Sequence, residues 1–336
     1  MKRFDSLFYI LAAIFIGFLL PLFLLNVLGI EIKKPEQHLI NAIWRGSVYS
    51  LFALGYALIF SILGLLNLAH SSVFMWGSFL GLMVVKDADL PLWAALPAGM
   101  LGGGLVSVAV DWVAFRPLRQ RNAPRTAQLI SSIGASAILV NLASITFSTN
   151  SQRFPESSIE ALPINATDPL RLTGAGLEVV VTPLQIGVLV IALLLMVALQ
   201  YLVAQTQLGK EMRVVAFNQR TASLLGIHVG RVFMATFFLA GALAGAAGVL
   251  HGIAFNAITP FMGNNIALTG LTVIVLGGMG SIRGTVVGGF LIANIEVLSI
   301  AAGYSWLADA VVFTALFLML LIRPQGLLGE AKLDKV

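Results

Sequence analysis

The groups in this 336-residue chain that could do chemistry are few and scattered. Its four histidines stand at 38, 70, 228 and 251, with no pair four residues apart. The helix face of a zinc hydrolase, His-Glu-x-x-His, is therefore missing. There is no cysteine, which removes thiolate metal sites, cysteine nucleophiles and a disulfide framework. Neither a phosphate-cradling Gly-x-x-x-x-Gly-Lys-Ser/Thr loop nor a Gly-x-Ser-x-Gly nucleophile turn occurs anywhere. Ser71 follows His70, but adjacent residues on a helix point in different directions, so the imidazole is not placed to act as its base. The expectation is no catalytic residue, no metal ligand and no cofactor held by this chain.

What remains is a handful of ionisable residues inside apolar runs: Arg45, His70, Asp111, Glu296 and Asp309, with His251 near the end of one. A charge in a hydrocarbon environment is costly, so each is a candidate for function. Each also has a structural reading. Asp111 is expected to pair with Arg116 at a membrane interface, His70 to cap a helix, and Glu296 and Asp309 to lock helices together.

The elements that carry these residues follow from composition. Hydrophobic residues make up 58% of the chain and charged residues 10%, against about 25% charged in a soluble domain. Mean hydropathy is +0.95. A soluble enzyme could not coat its surface with so few charges, and a disordered chain would be more polar. Ten apolar stretches follow one another, at 7–30, 39–66, 71–86, 90–115, 127–148, 183–204, 231–255, 266–280, 284–302 and 305–322. Each is near the roughly 20 residues needed to cross a bilayer. The expected architecture is a single all-α transmembrane domain over 1–336, with about 8–10 transmembrane helices including two broken or re-entrant segments.

The basic residues orient this map. Thirteen of the 20 lysines and arginines fall on one side, in the chain's two ends and in the loops around 116–125 and 210–231. The net charge of +5 is thus read as topology rather than as nucleic-acid binding, and the basic side as cytoplasmic. Both termini then lie inside, and 149–182, polar and proline-containing, forms an external loop.

Small residues recur at helical spacing: Gly77 and Gly81, Gly99 and Gly103, Gly241 and Gly245, and Gly280, Gly284 and Gly288. This spacing predicts close backbone contact between helices. Two segments interrupt the apolar pattern, 64–72 around Asn67, His70 and Ser71, and 277–284 around Gly278, Gly280 and Ser281. Interrupted helices expose backbone that lipid cannot satisfy, and they point to a transport pathway. Those six residues and Glu296 are the candidate pathway. Between spans, 205–231 reads as two short amphipathic helices, with Met212, Val215, Ala216, Ala222 and Leu225 on the apolar faces, a turn near Asn218 and a stop at Gly226. It offers a docking element for a separate motor, centred on Arg220, Thr221, Ala222, Leu225 and Gly226. An ion-coupled carrier working alone, with Glu296 and Asp309 as its acidic groups, is the competing reading.

At these residues the chain resembles the permeases of branched-chain amino acid ABC importers, the first of the two permease types in such systems. NAIWRGSVYSLFALGYALIFSILGLLNLAHSSVFMWGSFLGL is similar to the family's opening signature, and RPLRQRNAPRTAQLISSIGASAIL to its central loop. LGKEMRVVAFNQRTASLLGIHVGRV resembles its coupling loop, with Ala222 and Gly226 on the Ala-x-x-x-Gly core. VIVLGGMGSIRGTVVGGFLIANIEVL and GYSWLADAVVFTALFLMLLIRPQGLLG resemble its glycine-rich broken segment and its ending. Ser71 and Ser72 stand where the family commonly has glycine and an acidic residue. The resemblance implies a second, non-identical permease subunit, two cytoplasmic ATPase subunits that bind the ATP, an external solute-binding protein, and a bacterial inner-membrane location. Urea and short amides are the alternative cargo, since similar permeases carry them.

Overall fold

The computed structural model describes residues 32–160, 168–174 and 177–329, with 18, 19, 21–23, 26 and 29 ahead of them. The first apolar stretch and residues 161–167 of the expected external loop therefore lie largely or wholly outside the described residues. The other nine stretches are all helical. They form α1 (Pro35–Leu63), α2 (His70–Lys86), α3 (Ala95–Val110), α5 (Arg125–Phe147), α7 (Pro183–Gln205), α10 (Val229–Phe255), α11 (Met262–Gly277), α12 (Ile282–Ala301) and α13 (Ala308–Ile322). Short helices α4 (Arg116–Gln120), α6 (Glu156–Glu160), α8 (Gln207–Phe217) and α9 (Gln219–Leu224) lie between them. Seven helices among the described residues are long and apolar enough to cross a membrane. The 17-residue α2 and 16-residue α11 are shorter, about 25 Å each at 1.5 Å per residue, less than a hydrocarbon core.

The bundle is layered around α1. In its most apolar window α1 is 89% buried, and α10 78%, whereas α5 and α13 are 11% buried and α7 22%. The last three are the outermost helices of the bundle. Glycines explain how the inner helices approach. A Cβ added to Gly77 of α2 would fall on Gly245 of α10, and one on Gly245 would fall on the Gly99 carbonyl of α3. Gly103 and Gly241 face each other in the same way. The paired glycines of three helices thus form one seam, in which backbone packs on backbone.

The two ends of the bundle are distinct. Residues 170–174 and 177–181 pair as a small antiparallel hairpin, β1 and β2. Gln37, in the first turn of α1, receives the Val180 N–H at 2.8 Å and donates to the Val180 carbonyl at 2.9 Å. At the other end of α1, Leu63 and Gly64 share a cavity with Arg125 and Arg220. One end is therefore the hairpin end, and the other collects the basic loops. The hairpin falls in a stretch that the sequence marks only as polar.

The acid in the third span takes a different partner from the one expected. Asp111 binds Arg119, with contacts of 2.6 and 3.1 Å, and not Arg116. Residues 111–115 form a π turn, which absorbs one extra residue. In a regular helix a residue eight positions on sits about 80° round; the wide turn restores Arg119 to the face of Asp111.

Candidate translocation path and docking face

The expected pathway residues occupy three levels along α1. In the middle lies the segment between α1 and α2. Gly64 ends α1 with φ 66°, its N–H bonded to Phe60 O at 2.8 Å. The chain then climbs back into the bundle. Asn67 and His70 are fully buried. Asn67 Oδ1 accepts from the Ala69 N–H at 3.1 Å. The His70 ring lies between Phe52 and Tyr56, with Nε2 3.3 Å from Phe52 O. A Cβ on Gly55 would strike this ring, so glycine at 55 makes the slot. Asn67 Nδ2, His70 Nδ1 and the Tyr56 hydroxyl are buried with no hydrogen-bond partner among the described residues. Ser71 donates to Leu68 O at 3.3 Å. Its backbone meets Gly263, in the first turn of α11. The two shorter helices, α2 and α11, thus begin side by side inside the bundle.

This moves the second interruption. The segment 277–284 is a tight turn at the basic end, not a break at mid-depth. Gly278 and Gly280 have φ 113° and 88°, Gly277 packs directly on Gly284, and Ser281 caps α12 by accepting from the Gly284 N–H at 3.1 Å. Residues 323–329 fold across the turn as a strap: Leu327 N donates to Leu276 O at 2.9 Å and Leu328 N to Gly277 O at 3.0 Å. The mid-depth start belongs instead to α11, after the non-helical 256–261. Asn256 in a left-handed conformation (φ 45°), Pro260 and Gly263 were the available signals. In the first turn of α11 the side chains of Asn264 and Asn265 are exposed, at a depth where polar groups need a polar neighbour.

At the third level, towards the hairpin end, Glu296 forms an ion pair with Arg45 at 3.1 Å and a hydrogen bond with Tyr49. The Arg45 guanidinium also lies 5.2 Å from the Phe255 ring centre. Asp309 is exposed in the first turn of α13. From Ser281 to Glu296 is 15 residues of α12, about 22 Å. The structure therefore does not gather the seven pathway candidates at one point.

What it does gather lies at the basic end. A cavity of about 730 Å³ is lined by the end of α1, Arg125, the last residues of α8, Arg220, Gly280, Ser281 and Leu328 of the strap. The docking segment forms its side wall. Thr206 caps α8 by accepting from the Gly209 N–H at 3.2 Å, and Asn218 caps α9 through Arg220 N and Thr221 N at 2.9 and 3.1 Å. Gly226 follows with φ 81°. Met212, Val215 and Ala222 are buried in the chain's own core. Ala222 thus points inward, although the sequence reading set it against a partner. Leu225, assigned to the apolar face, is 68% exposed, and its neighbour Leu224 82%; Ala216, Arg220 and Thr221 are also exposed.

Residues 38–321 match the model of the family described as branched-chain amino acid transport system / permease component. The chain belongs to that family. Its relatives include the high-affinity branched-chain amino acid transport system permease protein LivH of Salmonella typhimurium, 32% identical over 89% of this chain and 97% of that one. LivH of Escherichia coli (strain K12) is 33% identical over the same shares. The permease protein BraD of Pseudomonas aeruginosa is 33% identical over 91% and 99%. Among solved structures, a chain of an ABC transporter described as metal-chelate type, in an inward-facing conformation, aligns with a TM-score of 0.47 at 14% identity, covering 94% of this chain and 98% of that one.

Proposed function

We propose that this chain is the permease subunit of an ATP-driven ABC importer for branched-chain or related amino acids in a bacterial inner membrane. The observation that carries this reading is the family match over residues 38–321, together with relatives that bear that transport name. In this reading the basic end faces the cytoplasm, both termini lie there, and the hairpin end receives solute from an external binding protein. A second permease subunit completes the path and two ATPase subunits supply the energy; this chain holds no cofactor.

The coupling role assigned to 205–231 draws support from where α8 and α9 sit. Their buried faces tie them to the bundle, and their exposed leucines face outward. Movement of an ATPase against α9 would be felt at once by the end of α1 and the Gly280–Ser281 turn, which share a cavity with α8. Solute would pass the exposed Asn264 and Asn265, where α2 and α11 begin.

The test is reconstitution. Liposomes holding both permeases and both ATPases, with binding protein outside and ATP inside, should accumulate leucine. This chain alone should not, under ATP or under a proton or sodium gradient. Gradient-driven uptake by the chain alone would replace this reading with that of an ion-coupled carrier. A complex that accumulates urea or a short amide but not leucine would keep the motor and change the cargo.

A further inference from the structure

We infer that the basic end carries a built site for the headgroup of an anionic phospholipid, in the cleft between the π turn and α4 on one side and the start of α10 on the other. The cleft has a volume of about 740 Å³. It sits at the right depth. Counting from Ala95, residues 112–116 lie about 25–30 Å along the third span, one hydrocarbon thickness from the opposite interface.

Its charge is unbalanced. Arg119 lines the cleft but is committed to Asp111, with its guanidinium 4.3 Å from the Phe233 ring centre. Arg116 and Arg231 also line it, and neither has an acidic partner among the described residues. Among the described residues the cleft thus sets three arginines against one carboxylate, that of Asp111. The first turn of the 27-residue α10 closes the same cavity, and its N-cap His228 makes no side-chain cap bond. The backbone dipole there adds to the attraction for an anion.

The outer wall selects an amphiphile over a dissolved anion. Trp112 and Met234, which line the cleft beside these arginines, are 65% and 51% exposed. An indole at the interface, apolar side chains on the hydrocarbon side and free arginines on the aqueous side match a glycerophosphate with its acyl chains. Gln219 and Ser223 of α9 form the remaining wall. A bound lipid would therefore touch the bundle and the docking segment together, a role that goes beyond the transport reading and does not depend on it.

Native mass spectrometry of the purified full chain, titrated with phosphatidylglycerol, phosphatidylcholine or inorganic phosphate, tests the assignment without any transport assay. Phosphatidylglycerol adducts should be retained preferentially. Arg116→Gln with Arg231→Gln should weaken that binding about tenfold or more, the scale expected for removing two basic contacts to an anionic headgroup. Arg116→Lys with Arg231→Lys should restore most of it, which separates charge from misfolding. The pair Arg213→Gln and Arg283→Gln, which line a different cavity, should leave it unchanged. Equal loss in that control pair, equal retention of phosphatidylcholine, or full competition by phosphate would overturn the site. So would undiminished lipid binding in the glutamine pair accompanied by loss of ATPase capture, which would give the cleft to a protein partner.

Discussion

The slot around His70 is shaped by the absence of a side chain at Gly55. Gly55→Ala should force the imidazole or α1 to shift, at a cost of about 1–3 kcal/mol for overpacking. A lower thermal midpoint for the purified chain is the expected reading. His70→Leu keeps the bulk and loses the contact with Phe52 O; it should impair uptake while complex assembly survives. Normal transport by that variant would leave His70 a packing residue. Asn264→Leu with Asn265→Leu should also lower leucine uptake, with unchanged membrane insertion. At this scale the sequence was legible where a residue breaks a pattern, as Asn67 and His70 do. It was not legible where orientation decides. Ala222 lies in a helix of six residues, under two turns, too short for periodicity to tell the inward face from the outward one.

Among the elements, the glycine seam was readable from spacing alone, because only small residues four apart let backbones touch. Its energetics can be separated from helix propensity. Gly245→Ala should destabilise the chain, since the added carbon meets the Gly99 carbonyl. Gly187→Ala should be neutral or stabilising by up to about 1 kcal/mol, the propensity gain alone, because nothing lies within 4 Å of a Cβ there. Equal effects in thermal unfolding would remove packing from the account. For the docking helices, Leu224→Glu with Leu225→Glu should cut ATPase pull-down without altering the fold. Ala222→Trp should instead destabilise the chain itself, by about 1–3 kcal/mol of overpacking. The start of α11 escaped the sequence reading because polar Asn264 and Asn265 sit between apolar neighbours, while the glycine-rich turn at 277–284 drew attention to the basic end. Likewise, the hairpin is held by backbone pairing and Gln37, a contact 143 residues distant in sequence that no local pattern reports.

For the molecule as a whole, the sidedness expected from the division of basic residues is decided by labelling. The chain has no native cysteine, so a cysteine placed at 160, at the end of α6, should react with a membrane-impermeant reagent added outside intact cells. Labelling only after permeabilisation would invert the topology. The strap carries a consequence for biosynthesis. Chains are made from the N-terminus, so Ser61 and Gly64 are in place long before Leu328, yet all three line one cavity. The carbonyls of Leu276 and Gly277 also wait for Leu327 and Leu328 to reach them. The chamber at the basic end is therefore closed only once residues 327 and 328 have been made. A nascent chain stalled at 322 should hold all the described spans and still lack the floor of that chamber.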